Sequence, residues 1–142
     1  MARSAVMLRQ ACRLIPFERS IPAGVQISAE LVWRREGWLE LSYGVLARAA
    51  KGIGVLKLPA GLNDGPQQGQ RKDELWTTTC FEAFIAAPGE QRYWEVNLAA
   101  DGDWALYRFD GYRSGQTQQE LSTPPTVRLQ RCLLYTSDAA DD

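Results

Sequence analysis

The most regular hydrophobic pattern in the chain lies between Cys80 and Asp110. Cys80 to Ala87, Arg92 to Leu98 and Trp104 to Asp110 each read as a short strand. Pro88-Gly89-Glu90-Gln91 separates the first two, and Ala99 to Asp103 separates the second from the third, with Gly102 free to adopt a positive φ. This punctuation predicts an antiparallel meander. Pairing Ala87 with Arg92 sets Glu82 opposite Asn97 and Phe84 opposite Glu95. Pairing Leu98 with Trp104 sets Glu95 opposite Tyr107 and Asn97 opposite Ala105. Side chains alternate across a strand, so the two faces separate. One carries Phe81, Ala83, Ile85, Trp94, Val96, Leu98, Trp104 and Leu106 and reads as a core face. The other carries Cys80, Glu82, Phe84, Tyr93, Glu95, Asn97, Tyr107 and Phe109. A slip of one residue would exchange the faces of a strand, so the clean separation supports this register.

Upstream, Val25, Ile27, Ala29, Leu31 and Trp33 alternate with Gln26, Ser28, Glu30 and Val32. After a turn at Arg34 to Gly37, Trp38, Glu40 and Ser42 alternate with Leu39, Leu41 and Tyr43, predicting a hairpin. Val45 to Lys51 fits no single element. Gly52 to Pro59 reads as a short strand ended by proline. Ala60 to Lys72, rich in Gly, Asn, Asp and Gln, reads as a solvated loop. Asp73 to Trp76 reads as a helical turn capped by Asp73. Gly111 to Thr123 is polar, Pro124-Pro125 interrupts it, and a further strand starts at Thr126 to Gln130.

A chain of 142 residues, 45% hydrophobic and 23% charged, has the size and composition of one globular domain. Its net charge of −1 gives no long-range pull toward nucleic acid or a membrane surface, and neither partner is expected. No apolar run approaches the roughly 20 residues of a membrane-spanning helix. Arg3 and Arg9 confine the longest uncharged N-terminal stretch to Ser4–Leu8, shorter than the about 7–15 apolar residues of a secretory signal. A cytoplasmic protein is therefore expected. Cys12, Cys80 and Cys132 form no CxxC pair and are expected to be free thiols. Histidine is absent, which removes the commonest metal ligand and general base.

The run Cys132 to Asp142 resembles one reading frame of a transposase-type sequencing adapter. The sequence is accordingly divided into 1–131, a domain whose C-terminal strands are expected to be missing, and 132–142, of non-biological origin. Setting aside the three Asp of that run moves the charge from −1 to +2.

The mixed face is the sharpest candidate for chemistry. Carboxylates and amides hydrogen-bond to vicinal hydroxyls, and aromatic rings offer flat apolar platforms. Clefts combining the two hold small ligands. The same residues would also suit an ordinary solvated face, with Glu82 and Glu95 paired to Arg92 or Arg108. Two glutamates on adjacent strands are weak grounds for glycosidase chemistry, and Cys80 has no histidine to activate it. Trp76 could plug the end of the domain or wall a cleft. Arg113 could be a surface residue or a hydroxyl- or carboxylate-binding fork.

Asp73-Glu74-Leu75-Trp76-Thr77-Thr78-Thr79-Cys80-Phe81-Glu82-Ala83-Phe84, Tyr93-Trp94-Glu95-Val96-Asn97-Leu98 and Gly102 to Arg113 together resemble the bacterial DOMON-like domain proteins. Their order also resembles that of family-nine carbohydrate-binding modules. The resemblance is dense over Asp73 to Arg113 and faint over Leu14 to Pro59. It implies a β-sandwich that binds sugars or haem through one sheet face or the loops at one end. Carried over residue by residue, it points to Trp76, Glu82, Glu95, Asn97 and Arg113 as ligand-binding residues, and the mixed face adds Tyr107. Haem-binding relatives use Met or His, whereas this chain has only Met1 and Met7 and no His, so no cofactor is expected here. Cys80 stands where the carbohydrate modules commonly have an acid, so no metal is expected either.

The sequence thus predicts an all-β protein, an antiparallel sandwich of Ig-like or jelly-roll type lacking its last strands. Such a fragment exposes an edge and a strip of core, and is expected to be marginally stable. The expected function is non-catalytic binding of a sugar or similar polar metabolite. A structural or protein-interaction domain, or haem binding through ligands beyond Arg131, are the alternatives.

Overall fold

The computed structural model describes residues 4–17, 24–48, 54 and 56–132. Among them it is all β: nine strands in antiparallel sheets, one single-turn 3-10 helix and no α-helix. No helix there is long and apolar enough to cross a membrane. The chain falls into two compact units, Met1–Leu56 and Lys57–Asp142.

The first unit is a three-stranded sheet of β1 (Val6–Leu14), β2 (Val25–Arg34) and β3 (Leu39–Ala47), with β2 in the centre. The β2–β3 hairpin forms as the alternation predicts, with Leu31 opposite Leu41 and Ile27 opposite Val45. Its turn closes through Arg34 N–H to the Trp38 carbonyl at 2.8 Å, with Gly37 at φ 81°. β3 alternates half-buried Leu39, Leu41, Tyr43 and Val45 with exposed Glu40, Ser42 and Gly44. On the polar face Arg9 pairs with Glu30 at 3.1 Å and Arg34 with Glu40 at 2.7 Å. β1 carries no sequence signal because all nine of its residues are exposed, so neither face needed to be apolar.

The second unit holds a four-stranded sheet, β5 (Cys80–Ala86), β6 (Tyr93–Ala99), β7 (Trp104–Phe109) and β8 (Thr117–Gln118), in that order. Its register is the expected one: Glu82 opposite Asn97, Phe84 opposite Glu95, Glu95 opposite Tyr107 and Asn97 opposite Ala105. A second, two-stranded sheet pairs β4 (Gly65–Gln67) with β9 (Val127–Leu129).

Four expectations need correction. The Ala60–Lys72 segment is not simply a solvated loop, because β4 finds a partner in β9, remote in sequence and invisible to local pattern. Of the strand expected at Gly52 to Pro59, Gly54 and Leu56 to Pro59 are not in a strand; the rest lies outside the described residues. The turn before β5 spans Leu75–Thr77 and starts from Glu74, in the left-handed region at φ 60° with no side-chain cap. Asp73 is not its cap, since its carboxylate accepts the Tyr107 hydroxyl instead.

The fourth correction concerns the core. The buried cluster of this unit is Leu75, Ala99, Ala105, Tyr107 and Phe109, packed against Cys80 and Tyr93. It lies on the mixed face of the meander, which the sequence assigns to ligand. The expected core face is half-buried apart from Trp104, which is buried. The cause is the 3-10 turn, which sets Leu75 on the mixed face over the small side chains of Ala99 and Ala105.

One close approach holds that turn in place. Residues 70–72 run beside the first residue of β7: Trp104 N–H donates to the Gln70 carbonyl at 3.1 Å, and Lys72 N–H to the Trp104 carbonyl at 2.9 Å. Gln70 N–H also donates to Asp103 Oδ1 at 3.0 Å. The backbones touch at two glycines: a Cβ on Gly69 would lie 1.9 Å from the Gly102 carbonyl carbon. Gly102 has φ 96°, as its turn requires. The Arg71 guanidinium lies 4.3 Å from the centre of the Trp104 ring, and its Nη2 donates to the Gln119 carbonyl at 2.8 Å.

Candidate functional site

The stitched segment delivers Asp73, Glu74 and Trp76 to the mixed face of the meander, where a cavity of about 500 Å³ opens. β6 supplies Glu95 and Asn97, two residues apart and therefore on one face. β7 supplies Tyr107 and Phe109 by the same spacing, with Tyr107 directly opposite Glu95. Gln116 and Gln118 close the far side, Gln118 being paired with Tyr107 across β7 and β8.

Asn97 is 3% exposed, the one buried polar side chain among the described residues. Its Nδ2 donates to Glu95 Oε1 at 2.9 Å. Its Oδ1 is buried and finds no hydrogen-bond partner among the described residues. An unmade bond at a buried acceptor costs roughly 1–3 kcal/mol, so such an atom at a cavity wall points to a missing donor.

The electrostatics are negative. Burial, then the hydrogen bond to Asp73, then the charges of Asp73 and Glu95 raise the Tyr107 hydroxyl from 10.0 to about 12, with Arg71 acting in the opposite sense. Partial burial and the Glu95 charge raise the Glu82 carboxyl above its ordinary value, against a lowering contact with Cys80. Burial, followed by the Glu82 charge, raises the Cys80 thiol from 9.0 to about 11. Among the described residues no group of three or more His, Cys, Asp or Glu side chains is placed to hold a metal ion.

Of the six residues singled out in the sequence, the structure gathers Trp76, Glu95, Asn97 and Tyr107 around this cavity. Trp76 is 67% exposed, so it does not plug the domain. Glu82 is opposite Asn97 on the same face but outside the lining. Arg113 is also outside the lining. It sits at φ 53°, its N–H donates to the Tyr93 hydroxyl at 3.2 Å, and its guanidinium lies 5.3 Å from the Tyr112 ring centre. Tyr93 in turn stacks on Phe109, a lining residue, with centroids 4.8 Å apart. Arg108 faces the other way, opposite Trp94, and pairs with Asp110 at 3.9 Å.

Pattern reading missed Asp73, Glu74, Gln116 and Gln118 as lining residues. Asp73 carried a cap-like signal that concealed it, and the two glutamines lay in a segment legible only as polar loop. A second concavity, about 600 Å³, lies on the first unit between Arg13, Glu30, Ser42 and Tyr43. Glu30 is already held there by Arg9, and none of the buried unpartnered atoms lies in it. Comparison with known proteins finds no matching family model, no matching curated protein and no matching solved structure.

Proposed function

We propose that the second unit belongs to a non-catalytic module that holds a small polar molecule, a sugar or similar metabolite, in the cavity between Trp76 and Asn97. In this reading the module is built on a DOMON-like β-sandwich plan, whose resemblance is densest over the residues that form the cavity. The observation that carries the reading is a concave site lined both by Asn97, whose buried Oδ1 has no partner among the described residues, and by the exposed indole of Trp76. A volume of about 500 Å³ suits a small ligand. A ligand hydroxyl or amine would satisfy the amide oxygen, and the Trp76 ring would lie against an apolar ring face.

A binding role fits these groups better than catalysis. Cys80 keeps its proton up to about 11 and has no histidine beside it, so it is a poor nucleophile. Glu82 and Glu95 stand on adjacent strands of one face rather than across a cleft from each other.

Titration of the full chain with neutral monosaccharides and their amine-bearing analogues, followed by the NMR signal of the Trp76 indole, tests this. Saturable shifts of that indole in the wild-type chain, with a calorimetric binding heat that is lost in Trp76→Ala at an unchanged melting temperature, support the reading. If no probe moves the indole, and Trp76→Ala and Asn97→Ala change only stability, the face is structural and the reading fails.

A further inference from the structure

We propose that the cavity selects ligands bearing a protonated amine over their neutral counterparts, through Asp73, Glu74, Glu95 and the free amide oxygen of Asn97. This rests on the binding reading above and names the ligand class of the same site.

The argument is an inventory of donors and acceptors. Three carboxylates line the cavity, and no Lys or Arg is among its lining residues. Two donors present at the wall are already engaged: the Tyr107 hydroxyl donates to Asp73, and Asn97 Nδ2 donates to Glu95. The buried Asn97 Oδ1 remains without a donor among the described residues. The Gln116 and Gln118 amides and the Trp76 indole bring neutral donors of their own, so the surplus is one of negative charge, three carboxylates with no cation among the lining residues. A neutral hydroxyl brings one donor together with acceptors of its own, whereas an ammonium brings three donors, no acceptor and a positive charge. The exposed Trp76 ring adds a face that attracts cations. Burial is the first cause of the raised Tyr107 hydroxyl and Glu82 carboxyl, and the Glu95 charge adds to both in the sense expected beside a carboxylate.

Matched pairs provide the test. The full chain is titrated with glucosamine against glucose, and with benzylammonium against benzyl alcohol, using N-acetylglucosamine as the uncharged amide control. The readout is the Trp76 indole shift at low and high salt. The charged member of each pair is expected to bind about tenfold tighter at low salt, with the gap shrinking as salt rises. Glu95→Gln and Glu74→Gln should each narrow that gap by about three- to fivefold. Equal or tighter binding of the neutral members overturns the amine preference but leaves the binding module standing. Silence from every probe overturns both.

Discussion

Asn97 donates its amide to the Glu95 carboxylate on the same strand, at 2.9 Å, while its own oxygen is left without a donor. The pair therefore works in one direction: the amide neutralises nothing, but it orients Glu95 toward the cavity. Asn97→Asp would replace the donor with a second buried carboxylate facing the first. The new acid would be held protonated well above the ordinary carboxylate range. The variant should be close to wild type in acid and lose about 2 kcal/mol as pH rises through that raised value. Urea melts of the two proteins at pH 4.5 and 7.5 measure the divergence.

Tyr107 should make the fold alkali-sensitive. Its hydroxyl is raised from 10.0 to about 12, first by burial and then by Asp73. A group whose folded value is raised supports the fold below its ordinary value and loses that support as pH rises through the folded one. Stability should fall between pH 10 and about 12, and phenolate absorbance should report the same transition. In Tyr107→Phe this alkaline component should vanish, at a cost of about 1 kcal/mol at neutral pH from the unpaired Asp73.

The thiols should separate by reactivity. Cys80 is half-buried and raised to about 11, whereas Cys12 is exposed. The rise from 9.0 to about 11 lowers the Cys80 thiolate fraction about 100-fold, and the greater nucleophilicity of the more basic thiolate offsets roughly tenfold of that. Iodoacetamide at pH 8 should alkylate Cys80 about tenfold more slowly than Cys12, as peptide mass spectrometry would resolve. Equal rates would contradict the partial burial of Cys80.

Gly69→Ala and Gly102→Ala should be the most damaging small substitutions in the second unit. The first drives a methyl into the Gly102 backbone, and the second forces a side chain into φ 96°. Each should cost about 2 kcal/mol or more. Because Gly69 precedes the segment that carries Asp73 and Glu74, Gly69→Ala should also weaken ligand binding. Gly89→Ala, which meets nothing within 4 Å, is the control for glycine replacement at positive φ without a clash.

The register of the meander was legible, with strand ends shifted by one residue, because two short turns and a two-residue side-chain period leave little freedom of register. Leu106 and Tyr107 could be sorted to opposite faces from sequence alone. What each face packs against could not be read that way. Tyr107 and Phe109 are buried because Leu75 lies over Ala99 and Ala105, a contact that local pattern does not encode. The same limit hid the β4–β9 pairing, where Gln67 meets Val127 from across the unit. β1 escaped for the opposite reason: with every residue exposed, no periodicity was imposed on it.

The turn from Ala99 to Trp104 fixes which half of β7 looks into the cavity. Were the length of that turn changed so that β7 slipped by one residue, its even-numbered side chains, Arg108 among them, would take the places of Tyr107 and Phe109. A guanidinium would then stand among the carboxylates, and Asp73 would lose its phenol. An insertion or deletion of a single codon there, with no substitution in any lining residue, would convert a negatively charged cavity into a self-neutralised one. The charge preference of this site is encoded as much in the length of a turn as in the identity of its acids.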